Sequence, residues 1–235
     1  MTLKSPLKTN IYRFERKYVI PHSLKKDIEF IIKTSPFSCR SIHQPRQVNN
    51  IYFDGLLLQN YLENIDGHNK RSKYRIRWYG ELFDEIKNIK LEIKIKQSLL
   101  GHKELYLLNA FDTRKGILYD DVFSLLTNSK LPFDLMQKLK FMKPALLNSY
   151  QRKYYESFDR KIRVTIDDKL FYQSLLSEKF TSRVVHNSYS ILELKYNHAD
   201  NDYASKLASI LPIKQTKYSK NRLKSINSSS STNFF

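Results

Sequence analysis

The sequence predicts an α+β fold in which an antiparallel sheet is flanked by helices. Short runs that alternate polar and apolar side chains recur along the chain, and this period of two is typical of strands with one buried face. The runs occur in groups, and the helical stretches lie between the groups rather than after each strand. Because this order lacks alternating βαβ units, it favours antiparallel pairing.

The elements follow in chain order. Strand patterns lie near residues 11–19, 48–54, 72–79, 89–97, 103–108, 161–167 and 189–196. Helical spacing of apolar residues marks 22–34, 113–127, 133–142 and 201–210. No repeat of 20 to 50 residues recurs, which argues against solenoids and propellers. We predict one domain over residues 11–224, after an N-terminal extension of residues 1–10 and before a disordered Ser-rich tail over 225–235.

Composition restricts the class of protein. The 235 residues carry 41 Lys plus Arg against 23 Asp plus Glu, a net charge of +18, and the apolar fraction of 41% excludes a disordered chain. Cys39 is the single cysteine, and neither a signal peptide nor a run of eighteen apolar residues is present, so we expect a cytoplasmic protein. Such a charge predicts a polyanionic partner: nucleic acid, an anionic membrane surface or phosphorylated small molecules.

The charges are concentrated on one face of each predicted strand. In the run from Lys73 to Tyr79, one face is wholly cationic and the other is apolar. Five such faces together hold nine Lys or Arg, four acids and one Thr, namely Lys73, Arg75, Arg77, Glu92, Lys94, Lys96, Arg163, Thr165, Asp167, Glu193, Lys195, Arg13, Glu15 and Lys17. A half-exposed sheet with a solvated outer face is one explanation. Like charges placed side by side repel, however, which favours a shared anion among them.

A curled sheet would explain why each strand has one charged face and one apolar face. If the strands form a barrel, the charged set lines the lumen and the apolar set faces outward under the helices. This arrangement predicts an electropositive tunnel rather than a flat basic surface. A tunnel favours a linear phosphate chain over duplex nucleic acid.

Eight short motifs occur in an order that resembles a known family. They are Arg13-Phe14-Glu15-Arg16-Lys17-Tyr18, Ile51-Tyr52-Phe53-Asp54, Lys73-Tyr74-Arg75-Ile76-Arg77, Leu91-Glu92-Ile93-Lys94, Tyr150-Gln151-Arg152, Arg163-Val164-Thr165-Ile166-Asp167, Leu192-Glu193-Leu194-Lys195-Tyr196 and Tyr218-Ser219-Lys220. Together they resemble the polyphosphate polymerase domain of the vacuolar transporter chaperone (VTC) complex, one of the triphosphate tunnel metalloenzymes related to the CYTH proteins. The resemblance implies a tunnel that binds a nucleotide triphosphate or a polyphosphate chain, with Mn²⁺ or Mg²⁺ held by glutamate.

The resemblance also implies roles for individual residues. Those implied to bind phosphate are Lys17, Arg75, Arg77, Lys94, Lys103, Arg152, Arg163, Lys195 and Lys220. Within this set, the residues expected to act on the reacting phosphoryl group are Arg75, Arg77, Lys94, Arg163 and Lys220. Glu193 is the first candidate for the metal ligand, and Glu15 and Glu92 follow it.

Several functions stay open at this point. The resemblance implies a metal-dependent enzyme that builds inorganic polyphosphate from the γ-phosphate of ATP. The alternatives are hydrolysis of inorganic triphosphate or polyphosphate on the same fold, or a module that binds polyphosphate or nucleic acid without turnover. The first motif has one glutamate, Glu15, where the CYTH relatives have ExExK. The membrane spans of eukaryotic members are absent from this sequence, so a membrane-protein partner and the oligomeric state both stay open.

Overall fold

One strongly curved antiparallel sheet forms the frame of the protein. The computed structural model describes residues 7–10, 13–55, 70–97, 100–175, 184–186 and 188–216. The strands are β1 (Leu7–Asn10), β2 (Arg13–Pro21), β3 (Arg40–Gly55), β4 (Lys70–Tyr79), β5 (Glu85–Ile86), β6 (Lys90–Gln97), β7 (Leu100–Leu107), β8 (Phe111–Asp112), β9 (Met142–Glu156), β10 (Ile162–Ser174), β11 (Val184–His186) and β12 (Tyr189–Asn197). The helices are α1 (Lys25–Thr34), α2 (Tyr119–Asn128), α3 (Phe133–Lys140) and α4 (Asn201–Ser209).

The main sheet has ten strands in the described part of the chain. Nine of them run in the order β1-β7-β6-β4-β3-β9-β10-β12-β2, β11 pairs with β10, and β5 and β8 form a separate two-stranded sheet. All the pairings are antiparallel. The predicted α+β class with antiparallel pairing is therefore confirmed. Leu7–Asn10, which the prediction placed in an N-terminal extension, forms the edge strand beside β7.

A contact between distant strands shows how far the sheet curls. Lys94 Nζ on β6 lies 3.4 Å from Glu15 Oε1 on β2, although five strands separate β6 from β2 along the sheet. Side chains of one face therefore meet across an interior, which is the lumen. Among the described residues no ladder joins the two edge strands, so this sheet encloses its lumen as a curled open sheet and not as a closed barrel.

The outer face of the sheet packs under the helices, as the alternation predicts. One apolar cluster joins Trp78 and Leu91 to Val122 of α2 and Leu139 of α3. A second cluster joins strands β2, β10 and β12 to α1 and α4. Burying one such side chain fully stabilises the fold by about 1.5–3 kcal/mol. The apolar half of each alternating strand thus anchors the sheet from outside and leaves the charged half facing inward.

One local prediction is wrong and one strand was not predicted, and each has a physical reason. The stretch 113–127 was expected to be helical throughout, but α2 begins at Tyr119. Thr113 instead lies buried, and its hydroxyl bonds to the backbone oxygens of Leu82 and Asp84. Strand β9 carries no alternating pattern, because most of its residues are buried on both faces of the sheet.

The helices of the described segments reach ten residues at most, and none of them could span a bilayer.

Candidate functional site

A buried glutamate gathers three cations on one side of the lumen. Glu193 on β12 lies in register with Lys17 on β2, and Lys17 Nζ is 3.3 Å from Glu193 Oε1. Lys195 Nζ lies 3.2 Å and Arg152 Nη2 lies 3.8 Å from Glu193 Oε2. Alternation places Lys195 on the same face as Glu193, and pairing with β10 brings Arg152 of β9 close to them. We call these four residues the Glu193 centre.

A second glutamate repeats the arrangement on strands β4, β6 and β7. Arg75 donates from Nε and Nη2 to Glu92 Oε2 at 2.8 and 2.5 Å. Lys103 Nζ lies 2.9 Å from Glu92 Oε1, and Arg77 Nη1 lies 3.6 Å from Glu92 Oε2. We call these four residues the Glu92 centre. Both centres place one carboxylate among three cations.

Tyrosines connect the two centres across the lumen. Tyr150 accepts a hydrogen bond from Arg77 Nη2 at 3.3 Å, and the guanidinium of Arg152 lies 5.2 Å from the centroid of its ring. Tyr52 accepts from Arg75 Nη1 at 3.2 Å. Tyr150 therefore touches one arginine of each centre, which shows that both centres face the same interior.

Burial and charge act against each other on the two glutamates. Burial alone raises the pKa of Glu193, but Lys195, Lys17 and Arg152 outweigh it and hold this pKa well below the ordinary value of 4.5. Burial likewise opposes ionisation of Glu92, and its neighbouring arginines and lysine lower the pKa of that carboxyl well below its usual range. Both carboxylates are therefore charged at neutral pH.

Among the described residues, cations still outnumber carboxylates in the lumen. Seven described cations meet there, namely Lys17, Arg75, Arg77, Lys94, Lys103, Arg152 and Lys195. The carboxylates that pair with them are Glu15, Glu92, Glu193 and Asp167. An excess of cations in a shielded interior attracts a polyanion strongly.

Arg152 is held in place by its own partner. Its guanidinium bonds to both carboxylate oxygens of Asp167, at 2.5 and 2.8 Å, and Asp167 is fully buried. The rings of Tyr150 and Tyr154 flank the guanidinium. Bidentate pairing fixes the orientation of an arginine. Asp167 therefore holds Arg152 in an orientation that also places Nη2 3.8 Å from Glu193 Oε2.

The oxygen atoms of Glu193 and its neighbours fit a divalent cation that also contacts phosphate. Mg²⁺ in proteins is commonly bound by one or two carboxylates together with substrate phosphates. Glu15 lies near enough to Glu193 for the two charges to repel. Thr165 stands opposite Glu193 in the ladder, and its buried hydroxyl has no hydrogen-bond partner among the described residues. The described residues contain no cluster of three or more His, Cys, Asp or Glu. The site therefore fits an ion bound jointly by protein and phosphate oxygens, and not an ion bound by protein ligands alone.

Most of the predicted site residues lie together. The lumen holds Lys17, Arg75, Arg77, Lys94, Lys103, Arg152, Lys195, Glu15, Glu92 and Glu193. Arg163 lies at the rim instead, where its Nε is 2.9 Å from Glu156 Oε1. Lys220 falls outside the described residues. Tyr52 and Asp167 were not among the predicted site residues, although Tyr52 shares its face of β3 with Asn50 and Asp167 shares its face of β10 with Thr165.

The affinity of the lumen for phosphate should begin to fall at a pH below the ordinary lysine pKa of 10.5. Burial lowers the pKa of Lys94 below its ordinary value of 10.5, and Glu15 opposes this change. The neighbouring charges of Lys17, Lys195 and Arg75 lower it further. Because only the protonated amine attracts phosphate, the affinity for tripolyphosphate should fall with rising pH already below 10.5. Titration calorimetry over a pH series at constant ionic strength measures this fall.

The matched variant for this prediction is Lys94→Arg. A guanidinium stays charged throughout the range, so the variant should lose less affinity with rising pH than the wild type. Identical pH profiles for the two proteins would show that Lys94 does not titrate in this range.

Comparisons with known proteins found similar solved structures at low sequence identity. Among solved structures, a candidate adenylate cyclase from Vibrio parahaemolyticus shares 10% identity, with 92% of this chain and 97% of that chain covered and a TM-score of 0.47. A candidate adenylyl cyclase from Hippeastrum, described as having a dominant triphosphatase activity, shares 13% identity over 88% of this chain and 91% of that chain, with a TM-score of 0.45. No curated protein matches the chain significantly.

Both TM-scores are below 0.5, so the identification depends on the sequence family. The family model of the VTC domain matches residues 12–223, a span that includes every described residue of both centres. The chain therefore belongs to the VTC domain family.

Proposed function

We propose that the chain is a metal-dependent phosphoryl transferase that builds inorganic polyphosphate from the γ-phosphate of ATP. The observation that carries the proposal is the convergence of seven Lys and Arg side chains on one lumen beside Glu193. Membership of the VTC domain family supports the same substrate class. The ligand class is a nucleotide triphosphate or a linear phosphate chain.

The cations of the lumen suit the chemistry of phosphoryl transfer. In such reactions negative charge spreads over the equatorial oxygens of a loose transition state, and the protein contributes positioning and positive charge. Arg75, Arg77 and Arg152 would offer phosphate oxygens positive charge at positions that their bonds to Glu92, Asn50 and Asp167 fix. Lys17 and Lys195 would act as mobile point charges beside them.

Little acid–base chemistry is required of the protein in chain growth. The acceptor phosphate is already anionic, so it can attack without a general base. Glu193, with Glu15 beside it, would hold Mn²⁺ or Mg²⁺. The chemistry that such an ion would supply is positive charge, which would offset the negative charge that develops on the phosphate.

Hydrolysis of triphosphate is the second candidate, and one observation favours it. Glu15 lies in the lumen beside Lys94, and although burial raises its pKa, Lys94 and Lys195 lower it below 4.5. An ionised carboxylate in this position would orient an attacking water. A duplex nucleic acid is not proposed as ligand, because the described cations of both centres face a curled interior.

One assay separates the candidates. Purified protein is incubated with ATP and Mn²⁺, and the products are resolved as polyphosphate, orthophosphate and ADP. We expect polyphosphate together with ADP. Orthophosphate without polymer would favour the hydrolase. The absence of both products would indicate a module that binds the ligand without turnover.

Two matched variants locate any activity. Arg75→Ala removes a donor from the Glu92 centre and should lower turnover by about 100-fold. Arg114→Ala removes an exposed arginine that pairs with Asp112 outside the lumen, and it should keep full turnover. Equal activity in both variants would contradict the site.

A further inference from the structure

Thr165 is the one uncharged residue on the five charged strand faces that the sequence predicts. It lies on β10 between Arg163 and Asp167, and alternation directs all three side chains to the inner face of the sheet. The flanking Val164 and Ile166 point the other way, into the apolar cluster under α1 and α4. A neutral hydroxyl therefore lies in the wall of the lumen, between two charged neighbours of its own strand.

Strand pairing places Thr165 beside the Glu193 centre. In the ladder, Thr165 is opposite Glu193 of β12 on one side and opposite Tyr154 of β9 on the other. Glu193 is in turn opposite Lys17 of β2, so these four residues form one row across the wall. Directly opposed residues on one face have Cβ atoms about 5 Å apart. The Thr165 side chain is therefore the immediate neighbour of the carboxylate on which the centre is built.

The hydroxyl of Thr165 is buried without a partner. The residue is 7% exposed, and its Oγ1 makes no hydrogen bond to any described residue. Within the described segments, no other buried side-chain nitrogen or oxygen is in this position. A buried hydroxyl without a hydrogen bond has lost its contact with water and gained nothing in exchange. Valine has the same branched shape without this cost, so threonine is the less favourable residue here in the ligand-free protein.

Thr113 shows how the fold satisfies a buried threonine elsewhere. It is fully buried, and its Oγ1 lies 3.1 and 3.0 Å from the backbone oxygens of Leu82 and Asp84. The same oxygen accepts from the N–H of Asp84 at 2.9 Å. The donor and the acceptor of this hydroxyl are both used within the fold, whereas those of Thr165 are not used by any described residue.

We propose that Thr165 donates its O–H to an oxygen of a phosphate bound at the Glu193 centre. The proposal rests on the proposed ligand class, and it adds a neutral donor to the cations of that site. Lys17, Lys195 and Arg152 surround the neighbouring carboxylate and attract an anion to the same place. A hydrogen bond to an ionised acceptor is stronger than one between neutral groups, and shielding from water strengthens it further.

A metal ion would satisfy this hydroxyl less completely. Ligation of a cation uses a lone pair of Oγ1, and the proton would still need an acceptor. A phosphate oxygen satisfies the proton directly. Glu193 and Glu15 therefore remain the candidate ligands of the ion, and Thr165 is assigned to the phosphate.

Thr165→Val tests the assignment through two measurements that should move in different directions. The affinity for tripolyphosphate, measured by titration calorimetry in a chelator, should fall about tenfold or more, because a hydrogen bond to a charged group is lost. The midpoint of urea unfolding without ligand should hold or rise, because the variant lacks the unpaired buried hydroxyl. Unchanged affinity would overturn the proposal, whatever happens to the midpoint. A loss of affinity that appears only with Mn²⁺ would assign the hydroxyl to the metal and overturn it as well.

Two further variants separate the hydroxyl from packing. Thr165→Ser keeps the O–H and should retain most of the affinity, even if Thr165→Val folds poorly. Equal losses of affinity in the serine and valine variants would show a packing effect and overturn the proposal. Thr113→Val is the matched control, because it removes a hydroxyl that the fold uses. It should lower the unfolding midpoint and leave the affinity for tripolyphosphate unchanged.

Turnover of ATP is measured separately, so that failure of the proposed function can be recognised. If Thr165→Val weakens tripolyphosphate binding but the wild type forms no product from ATP, the transferase is rejected and the phosphate contact is kept. If the wild type does not bind tripolyphosphate, the contact is rejected together with the ligand class.

Discussion

Glu193→Gln is expected to lower metal-dependent turnover by about 100-fold or more while preserving the affinity for tripolyphosphate. The amide keeps the shape of the side chain but removes the charge that would hold Mn²⁺ or Mg²⁺. It also removes an anion that competes with phosphate for Lys17, Lys195 and Arg152. Metal-free affinity should therefore hold or increase. Turnover over a Mn²⁺ series and calorimetry in a chelator measure the two effects separately.

Glu29→Gln is the matched control for this substitution. Glu29 also accepts from a lysine, with its Oε1 2.8 Å from Lys153 Nζ, but it lies on α1 outside the lumen. This variant should leave turnover unchanged. Full activity in Glu193→Gln would remove the metal assignment, and equal losses in both variants would indicate a general effect of charge.

Arg152→Ala is expected to produce the largest loss of stability, about 3–5 kcal/mol in the free energy of unfolding. The substitution removes the bidentate partner of Asp167, which is fully buried. A buried carboxylate that loses its cation keeps the cost of desolvation without the attraction that offsets it. Urea unfolding of the ligand-free protein at neutral pH measures the change.

Arg114→Ala provides the comparison for stability as well. Arg114 also makes a bidentate pair, with Asp112, but both side chains are largely exposed. Water replaces such a pair readily, so no measurable loss of stability is expected. If the two variants lose equal stability, burial is not the source of the effect at Arg152.

Alternation made the two faces of most strands predictable. In β4, alternation alone shows which face is buried under helices and which faces the lumen. Ile76 and Trp78 lie on the first face, and Arg75 and Arg77 lie on the second. The same rule placed Glu193 and Lys17 inside and predicted that helices would cover the outside. Local periodicity is enough to assign such residues to a face, because one face of each strand carries charged side chains and the other packs under a helix.

Features that depend on pairing could not be derived in this way. Most of strand β9 is buried on both faces and so lacks alternation. Without β9 in place, nothing connects Arg152 with Asp167, which meet only through the register of β9 and β10. The inward-facing apolar cluster around Ile191 and Val19 was missed for a related reason, since these two residues continue charged faces with apolar side chains. Their inward direction is evident only once the lumen is assembled.

The cations of the site differ in exposure, and this difference separates capture of a ligand from its retention. Lys94 and Arg163 act on an approaching anion through water, where salt screens charges over about 10 Å at 0.1 M. The deeper guanidinium groups of Arg77 and Arg152 act at contact and are screened far less. Added salt should therefore slow association more than it speeds dissociation. The exposed cations set how quickly a phosphate chain arrives, and the buried ones set how long it stays.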